Sequence, residues 1–302
     1  MTNDEIVGQY LHWLKTVKVA SAATVYDYAA ILRRYCEFVS PSALEHVTVE
    51  RMESFVRRPR RGGRVPSAAA QQKDCVVVRE VHKFAAARGY LRADRSALLV
   101  SPTVRNTNPR PVPDDVWVRL WASDLPDGER AAYGLAFFGG LRRAEVCGLV
   151  PSIVSGGLLV NFVRKGGGDG TVPLTDLCVL LDRAFPQFEA GEFPAFLAEY
   201  AEQRADERLL VDWRLQPSVW NVRTAPDIFN KRLKDACVRA GVPHVTPHMM
   251  RHAFVTNLLR AGVPLHLVSR MANHTSPTVT SRYIKAGGSE LREWMASVTP
   301  RG

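Results

Sequence analysis

The sequence predicts a mainly α-helical protein with a small antiparallel β-hairpin or sheet, an α+β chain of two domains. Apolar residues recur at helical spacing in the first third, a proline-rich segment follows, and two strand-like runs then flank a glycine-rich tip. The chain has 302 residues, 46% of them hydrophobic, which is enough to bury two modest cores. We place the domains at residues 1–100 and 114–302, joined by a linker over 101–113.

The first domain is predicted to be helical. Ser21 is a typical N-cap, and apolar residues follow it at spacings of three and four, at Val25, Tyr28, Leu32, Tyr35 and Val39. A second helical run covers 68–87 and stops before Gly89. The intervening segment 57–64 is rich in arginine and glycine, which predicts an exposed basic loop.

Positive charge is concentrated in this first part of the chain. The formal net charge is +10, and residues 1–110 contribute 18 Lys and Arg against 10 Asp and Glu, or +8 of that total. Such an excess favours a polyanion, most commonly nucleic acid, although a basic surface can also serve solubility alone. We prefer phosphate-backbone contacts over a merely solvated loop for the arginines of segment 57–64, namely Arg57, Arg58, Arg60, Arg61 and Arg64.

The linker and the second domain follow from local signals. Four prolines hold segment 101–113 extended. A helix is predicted around 130–138, and strand-like runs at 158–164 and 171–174 predict a hairpin with a glycine-rich tip. Residues 176–240 are predicted to form helices with loops, and three later helices are expected to begin with N1 prolines, at Pro247, Pro264 and Pro277.

Several protein classes are disfavoured. No stretch reaches the roughly 18–20 apolar residues of a membrane span, and the N-terminus does not resemble a signal peptide, so we expect a soluble intracellular protein without a membrane partner. The five cysteines form no CxxC pair, so they are expected to be small buried apolar residues.

Two motifs place arginines near helix starts. In Gly-Gly-Leu-Arg-Arg-Ala-Glu-Val at 139–146, Arg142 follows a glycine turn and could hold a phosphate bidentately, with Glu145 orienting an arginine. Solvated basic pairs are common, so this motif is weak by itself. In the second, Thr246 as N-cap opens a helix that sets His248 and Arg251 on one face near its positive end. A metal bound by His248 and His252 is the competing interpretation, but a third ligand is missing, so we expect no metal.

Lys165 at the hairpin tip, His274 and Tyr283 are individually weak signals. A lone tyrosine or histidine is ordinarily a packed or satisfied side chain. The lysine precedes its glycines, which does not fit a nucleotide-binding loop, but it could protonate a leaving oxygen. A phenol can accept a phosphoryl group as a reversible ester.

Their order and spacing resemble the tyrosine recombinase (phage integrase) family. The matching features are the Gly-Leu-Arg-x-x-Glu box, a hairpin lysine before Val-Pro-Leu at 172–174, a His-x-x-Arg box, and a histidine nine residues before a tyrosine. The resemblance covers nearly the whole chain and implies a small helical core-DNA-binding domain ahead of the catalytic domain, without an arm-binding domain. Ala272-Asn273-His274 stands where the family usually has Leu-Gly-His, and Gly168-Asp169-Gly170 replaces further basic residues of the hairpin.

The resemblance implies a role for each residue. Tyr283 would attack the scissile phosphate and form a 3′-phosphotyrosyl bond, while Arg142 and Arg251 stabilise the non-bridging oxygens. Lys165 would protonate the departing 5′ oxygen. His248 would assist proton transfer, His274 would bind the phosphate, and Glu145 would support this framework. No cofactor and no metal are expected.

The resemblance also implies partners. Four protomers would act on two double-stranded DNA core sites, and tail 286–302 would dock on a neighbouring protomer or, equally, on its own domain. The protein would be cytoplasmic and nucleoid-associated, in a bacterial cell or phage-infected host, with room for an accessory directionality factor.

Four functions remain open at this point. Phage or mobile-element integration and excision leads, followed by Xer-type resolution of chromosome or plasmid dimers. A non-catalytic DNA-binding regulator on the same fold is the alternative from another class, and intact reactive positions argue against it. A type IB topoisomerase fits the small first domain and the chain length less well.

Overall fold

The computed structural model describes residues 1–60, 62–104, 110–149, 154–155, 158–163, 169–203 and 224–273. The chain divides into two compact units, an N-terminal unit of Met1–Thr107 and a C-terminal unit of Asn108–Gly302. Each unit encloses its own core of buried apolar side chains. No helix in the described part of the chain is long and apolar enough to cross a membrane.

The N-terminal unit is built from four helices, α1 Asn3–Thr16, α2 Ala22–Val39, α3 Val49–Arg57 and α4 Ala68–Ala87. Ser21 caps α2 as predicted, because its hydroxyl accepts the backbone N–H of Thr24 at 3.2 Å. Helix α4 covers the predicted run. The core between the helices is aromatic at its centre, with Tyr10, Tyr35 and Phe55 fully buried.

The C-terminal unit carries eight further described helices. They are α5 Asp114–Trp121, α6 Asp127–Phe137, α7 Arg143–Val146, α8 Leu174–Ala184, α9 Phe193–Glu202, α10 Thr224–Arg239, α11 Pro247–Arg260 and α12 Leu265–Met271. Helix α6 is buried around most of its circumference, and Trp117 of α5 stacks on Phe137 with ring centroids 3.7 Å apart. The segment leaving α6 is therefore anchored to the centre of the unit.

A three-stranded antiparallel sheet, β1 Val154–Ser155, β2 Leu158–Val163 and β3 Asp169–Val172, completes this unit. The predicted hairpin is present, since Leu159 pairs with Val172 and Phe162 with Gly170. The predicted extension of the second strand to Leu174 is wrong, because this residue begins α8 and buries its side chain. Two-residue strand β1 is too short for a recognisable period in the sequence.

The cysteines lie where the sequence predicts, and the N1 prolines do so in part. All five cysteines are unpaired and buried, as expected of small apolar residues. Pro247 is the first residue of α11 as predicted, whereas Pro264 is the N-cap of α12 and lies one residue before its first turn. Pro277 lies outside the described residues.

Candidate active site

A tight glycine turn delivers Arg142 from the central helix to the surface of the C-terminal unit. Gly140 has φ +64°, and a Cβ atom there would lie 2.2 Å from Cδ1 of Phe254. Both the left-handed backbone and the close packing therefore require glycine. Arg142 follows as the N-cap of α7, with its side chain 24% exposed.

Glu145 holds Arg142 in place through two hydrogen bonds. Its Oε2 accepts the backbone N–H of Arg142 at 2.7 Å, and its Oε1 accepts from Nη1 of the guanidinium at 2.9 Å. The Glu145 side chain is 5% exposed, so this ion pair is shielded from water on the carboxylate side. A buried, charge-assisted pair of this kind restricts the arginine more strongly than a surface pair would.

Helix α11 supplies the second arginine. Thr246 accepts the backbone N–H of Met249 through Oγ1 at 3.2 Å, which confirms the predicted N-cap. Two residues after Met249, the buried Arg251 donates from Nη1 to the carbonyl oxygen of Gly140 and from Nη2 to that of Ala272. These carbonyls fix the plane of the guanidinium.

The two arginines line one cleft of about 530 Å³. His248 lies on the same wall, so three of the predicted site residues are brought together. The sequence reasoning missed further polar lining residues, which are Arg143, Asn230 and His244. Adjacency to Arg142 and a four-residue spacing from His248 were available signals for two of them, whereas Asn230 lies on α10 and carries no local signal.

The electrostatics of the cleft favour an anion. Among the described residues that line it, Arg142, Arg143 and Arg251 bring three positive charges, and the carboxylate of Glu145 pairs with Arg142. Burial, followed by the nearby His248 and Arg251, lowers the pKa of His252 to about 4, so this imidazole is neutral at physiological pH. Among the described residues, no three His, Cys, Asp or Glu side chains are grouped to hold a metal ion.

Three predicted site residues, Lys165, His274 and Tyr283, lie outside the described residues. One described residue beside them in the sequence contacts an arginine of the cleft. Asn273 directly precedes His274, and its carbonyl oxygen accepts a hydrogen bond from Nη2 of Arg142 at 3.1 Å. Strands β2 and β3 flank the segment that contains Lys165.

The arginine-rich loop of the N-terminal unit has a role that the sequence did not predict. Arg58 and Arg60 form ion pairs with the buried carboxylate of Asp74, with N–O distances of 3.1 and 2.7 Å. These two guanidiniums neutralise a buried charge and are structural in the isolated protein. Arg57 and Arg64 are exposed, and Arg57 forms a 3.4 Å ion pair with Glu53, one turn earlier in α3. Arg61 lies outside the described residues.

Comparison with known protein families decides the class of the molecule. The profile of the Phage integrase family matches residues 123–289, and that of the phage integrase N-terminal SAM-like domain matches residues 7–89. The chain belongs to the phage integrase family. It is a tyrosine recombinase, an enzyme of site-specific DNA cleavage and rejoining, which confirms the resemblance inferred from the motif order.

Individual relatives support the same assignment. Tyrosine recombinase XerD of Corynebacterium glutamicum is 27% identical over 317 residues, covering 96% of this chain and 97% of the relative. A lambda integrase dimer bound to a COC' core site has a TM-score of 0.70 at 17% identity, covering 94% of this chain and 77% of that one. A lambda integrase tetramer bound to a Holliday junction also has a TM-score of 0.70, at 16% identity and the same coverage. The predicted mainly helical, two-domain fold is thereby confirmed.

Proposed function

We propose that this recombinase cleaves and rejoins DNA through a covalent bond to Tyr283, without a metal ion. The observation that carries the proposal is the meeting of Arg142 and Arg251 at one cleft, each oriented by hydrogen bonds to fixed acceptors. Guanidiniums donate paired hydrogen bonds to phosphate oxygens. Two of them at one phosphate would neutralise the charge that develops on the non-bridging oxygens.

The reaction conserves the phosphodiester bond energy. The Tyr283 hydroxyl attacks phosphorus, the bond from phosphorus to the 5′ oxygen breaks, and Lys165 gives this oxygen its proton. A 3′-phosphotyrosyl ester remains, and a 5′ hydroxyl reverses the step by attacking it and returning the phenol. His248 assists proton transfer and His274 binds the phosphate.

Residues beyond the arginine pair extend the DNA contact. The cleft continues to Arg143, Asn230 and His244, which supports contacts to phosphates next to the scissile one. In the N-terminal unit, Arg57 and Arg64 are the described loop arginines suited to the DNA backbone, together with Arg61 by sequence position.

The proposed assembly is a homotetramer on two DNA duplexes. Solved lambda integrase structures include a dimer on a core site and a tetramer on a Holliday junction, and their fold likeness to this chain supports the proposal. Tail 286–302 is the proposed link between protomers, and a directionality factor is a further proposed partner.

We propose integration and excision of a phage or mobile element as the biological role. Resolution of chromosome or plasmid dimers is the second candidate, favoured by the nearly full-length match to XerD. The two roles differ in their sites, since integration joins two different DNA sequences and dimer resolution joins identical ones. Recombination assays with like and unlike pairs of the cleaved site therefore separate them.

Covalent trapping tests the chemistry. The protein is incubated with EDTA on nicked suicide duplexes that span a candidate attachment region, and adducts are resolved on a denaturing gel. We expect an adduct from the wild type and from Tyr26→Phe, which alters an exposed tyrosine of α2, and none from Tyr283→Phe. Failure of the wild type to form an adduct on a duplex that it binds would refute the proposal.

A further inference from the structure

Helix α12 ends in a left-handed turn at Asn273. The residue has φ +45°, and its backbone N–H donates to the carbonyl oxygen of Arg270 at 3.0 Å. Few residues other than glycine adopt this conformation, and asparagine tolerates it best among those with a side chain. This turn is the last described segment before His274.

Both arginines of the cleft donate to this one turn. Arg251 reaches the carbonyl oxygen of Ala272 through Nη2, and Arg142 reaches that of Asn273 through Nη2 at 3.1 Å. In a continuing helix, consecutive carbonyls point the same way along the axis. The left-handed residue breaks this alignment, so two neighbouring carbonyls can serve two arginines that arrive from different elements.

A further hydrogen bond connects the two arginines through the backbone. Arg251 also donates to the carbonyl oxygen of Gly140, which lies two residues before Arg142 in the chain. Three segments thus meet at the cleft, namely the glycine turn after α6, helix α11 and the end of α12. Of the three, the end of α12 contacts both guanidiniums through its own carbonyls, those of Ala272 and Asn273.

We propose that Asn273 is a positioning residue for strand cleavage. Its left-handed backbone conformation sets the relative placement of the two guanidiniums and the direction in which the chain leaves toward His274. The role belongs to the backbone conformation and not to the amide group of the side chain. The inference rests on the proposed function in one respect, that Arg142 and Arg251 together hold the scissile phosphate.

Two substitutions separate conformation from side-chain chemistry. Asn273→Gly removes the amide but enters the left-handed region freely, whereas Asn273→Val retains a side chain but is β-branched and disfavours that region. Glu189→Val is the matched control, because Glu189 has φ +50°, is exposed, and does not line the cleft. It imposes a similar backbone cost outside the cleft.

The test measures single-turnover cleavage of a suicide duplex at saturating protein, with duplex affinity measured separately. We expect Asn273→Gly and Glu189→Val to cleave within about 2-fold of the wild type. Asn273→Val should cleave on the order of 100-fold more slowly while binding DNA within a few-fold, since small misplacements of catalytic groups cost about this much. Equal rates for the glycine and valine variants of Asn273 would overturn the inference.

A second readout does not depend on cleavage. The same proteins are titrated with inorganic phosphate and followed by NMR of arginine side-chain N–H signals. We expect about 10-fold weaker phosphate binding for Asn273→Val alone, as one well-oriented charged hydrogen bond is lost. A wild type that never forms the adduct would refute the proposed function, whereas equal phosphate affinities in the valine and glycine variants would refute the role of Asn273 specifically.

Discussion

Acid should destabilise the N-terminal unit through one buried histidine. His82 of α4 is fully buried, and its Nε2 lies 2.9 Å from the hydroxyl of Tyr35. Its Nδ1 has no hydrogen-bond partner in the described part of the chain. A proton added to this imidazole would be buried without compensation, and burial accordingly lowers the pKa of His82 to about 4, against the weaker opposing effect of Asp94.

The size of the effect follows from the two pKa values. The ordinary histidine pKa is 6.5, so the unfolded chain takes up the proton first, and stability is lost as pH falls from 6.5 toward 4. This difference between the two pKa values lowers the free energy of unfolding by roughly 3 kcal/mol once both the folded and the unfolded states are protonated. Between pH 7 and pH 5 the loss is about 2 kcal/mol. Above pH 7 the contribution no longer changes.

Hydrogen exchange measured by mass spectrometry can test this in the intact protein. After correction for intrinsic exchange rates, the free energy of opening for α4 peptides should fall by about 2 kcal/mol from pH 7 to pH 5 in the wild type. His82→Gln should remove most of that dependence. His12→Gln, at an exposed position of α1, should retain it. The same pH dependence in His82→Gln and the wild type would refute the role of His82.

Three further predictions concern the fold and the site. Gly140→Ala should lower the free energy of unfolding, measured by urea titration, by roughly 2–5 kcal/mol, because left-handed strain adds to a clash with Phe254. Gly241→Ala has the same φ of +64° but open space around it, so it should cost only about 1–2 kcal/mol. Asp74→Asn should destabilise the N-terminal unit by about 3 kcal/mol, because two guanidiniums lose their buried partner. Asp27→Asn, at a partly exposed ion pair with Lys73, should cost less than about 1 kcal/mol, and equal losses would argue against a buried ion pair. Glu145→Gln should slow suicide-duplex cleavage about 10- to 100-fold through the loss of charged hydrogen bonds, and an unchanged rate would contradict its positioning role.

Local interactions account for what could be predicted. The caps at Ser21 and Thr246 satisfy N–H groups three residues ahead, and the strand pair flanks a short glycine-rich tip. Such features depend on near neighbours in sequence, so their residue types reveal them. The motif order likewise predicts the recombinase family without reference to any tertiary contact.

Asn273 illustrates a departure that only the backbone explains. The sequence showed asparagine where the family usually has glycine, without a reason for the exchange. The φ of +45° supplies one, since asparagine is among the few side chains that tolerate the left-handed conformation. Asn273 takes this conformation at the end of α12, where its carbonyl oxygen and that of Ala272 accept hydrogen bonds from Arg142 and Arg251.

The sequence by itself determined the N-caps of α2 and α11, the strand pair, the basic first third and the family. Only the tertiary structure decided that Arg251 is held by Gly140 and Ala272, and that Arg58 and Arg60 neutralise buried Asp74. The physical reason is that the energy of an ion pair or charged hydrogen bond depends on the burial of the two groups and on the distance between them. Neither quantity can be read from residues that lie far apart along the chain until the helices have packed.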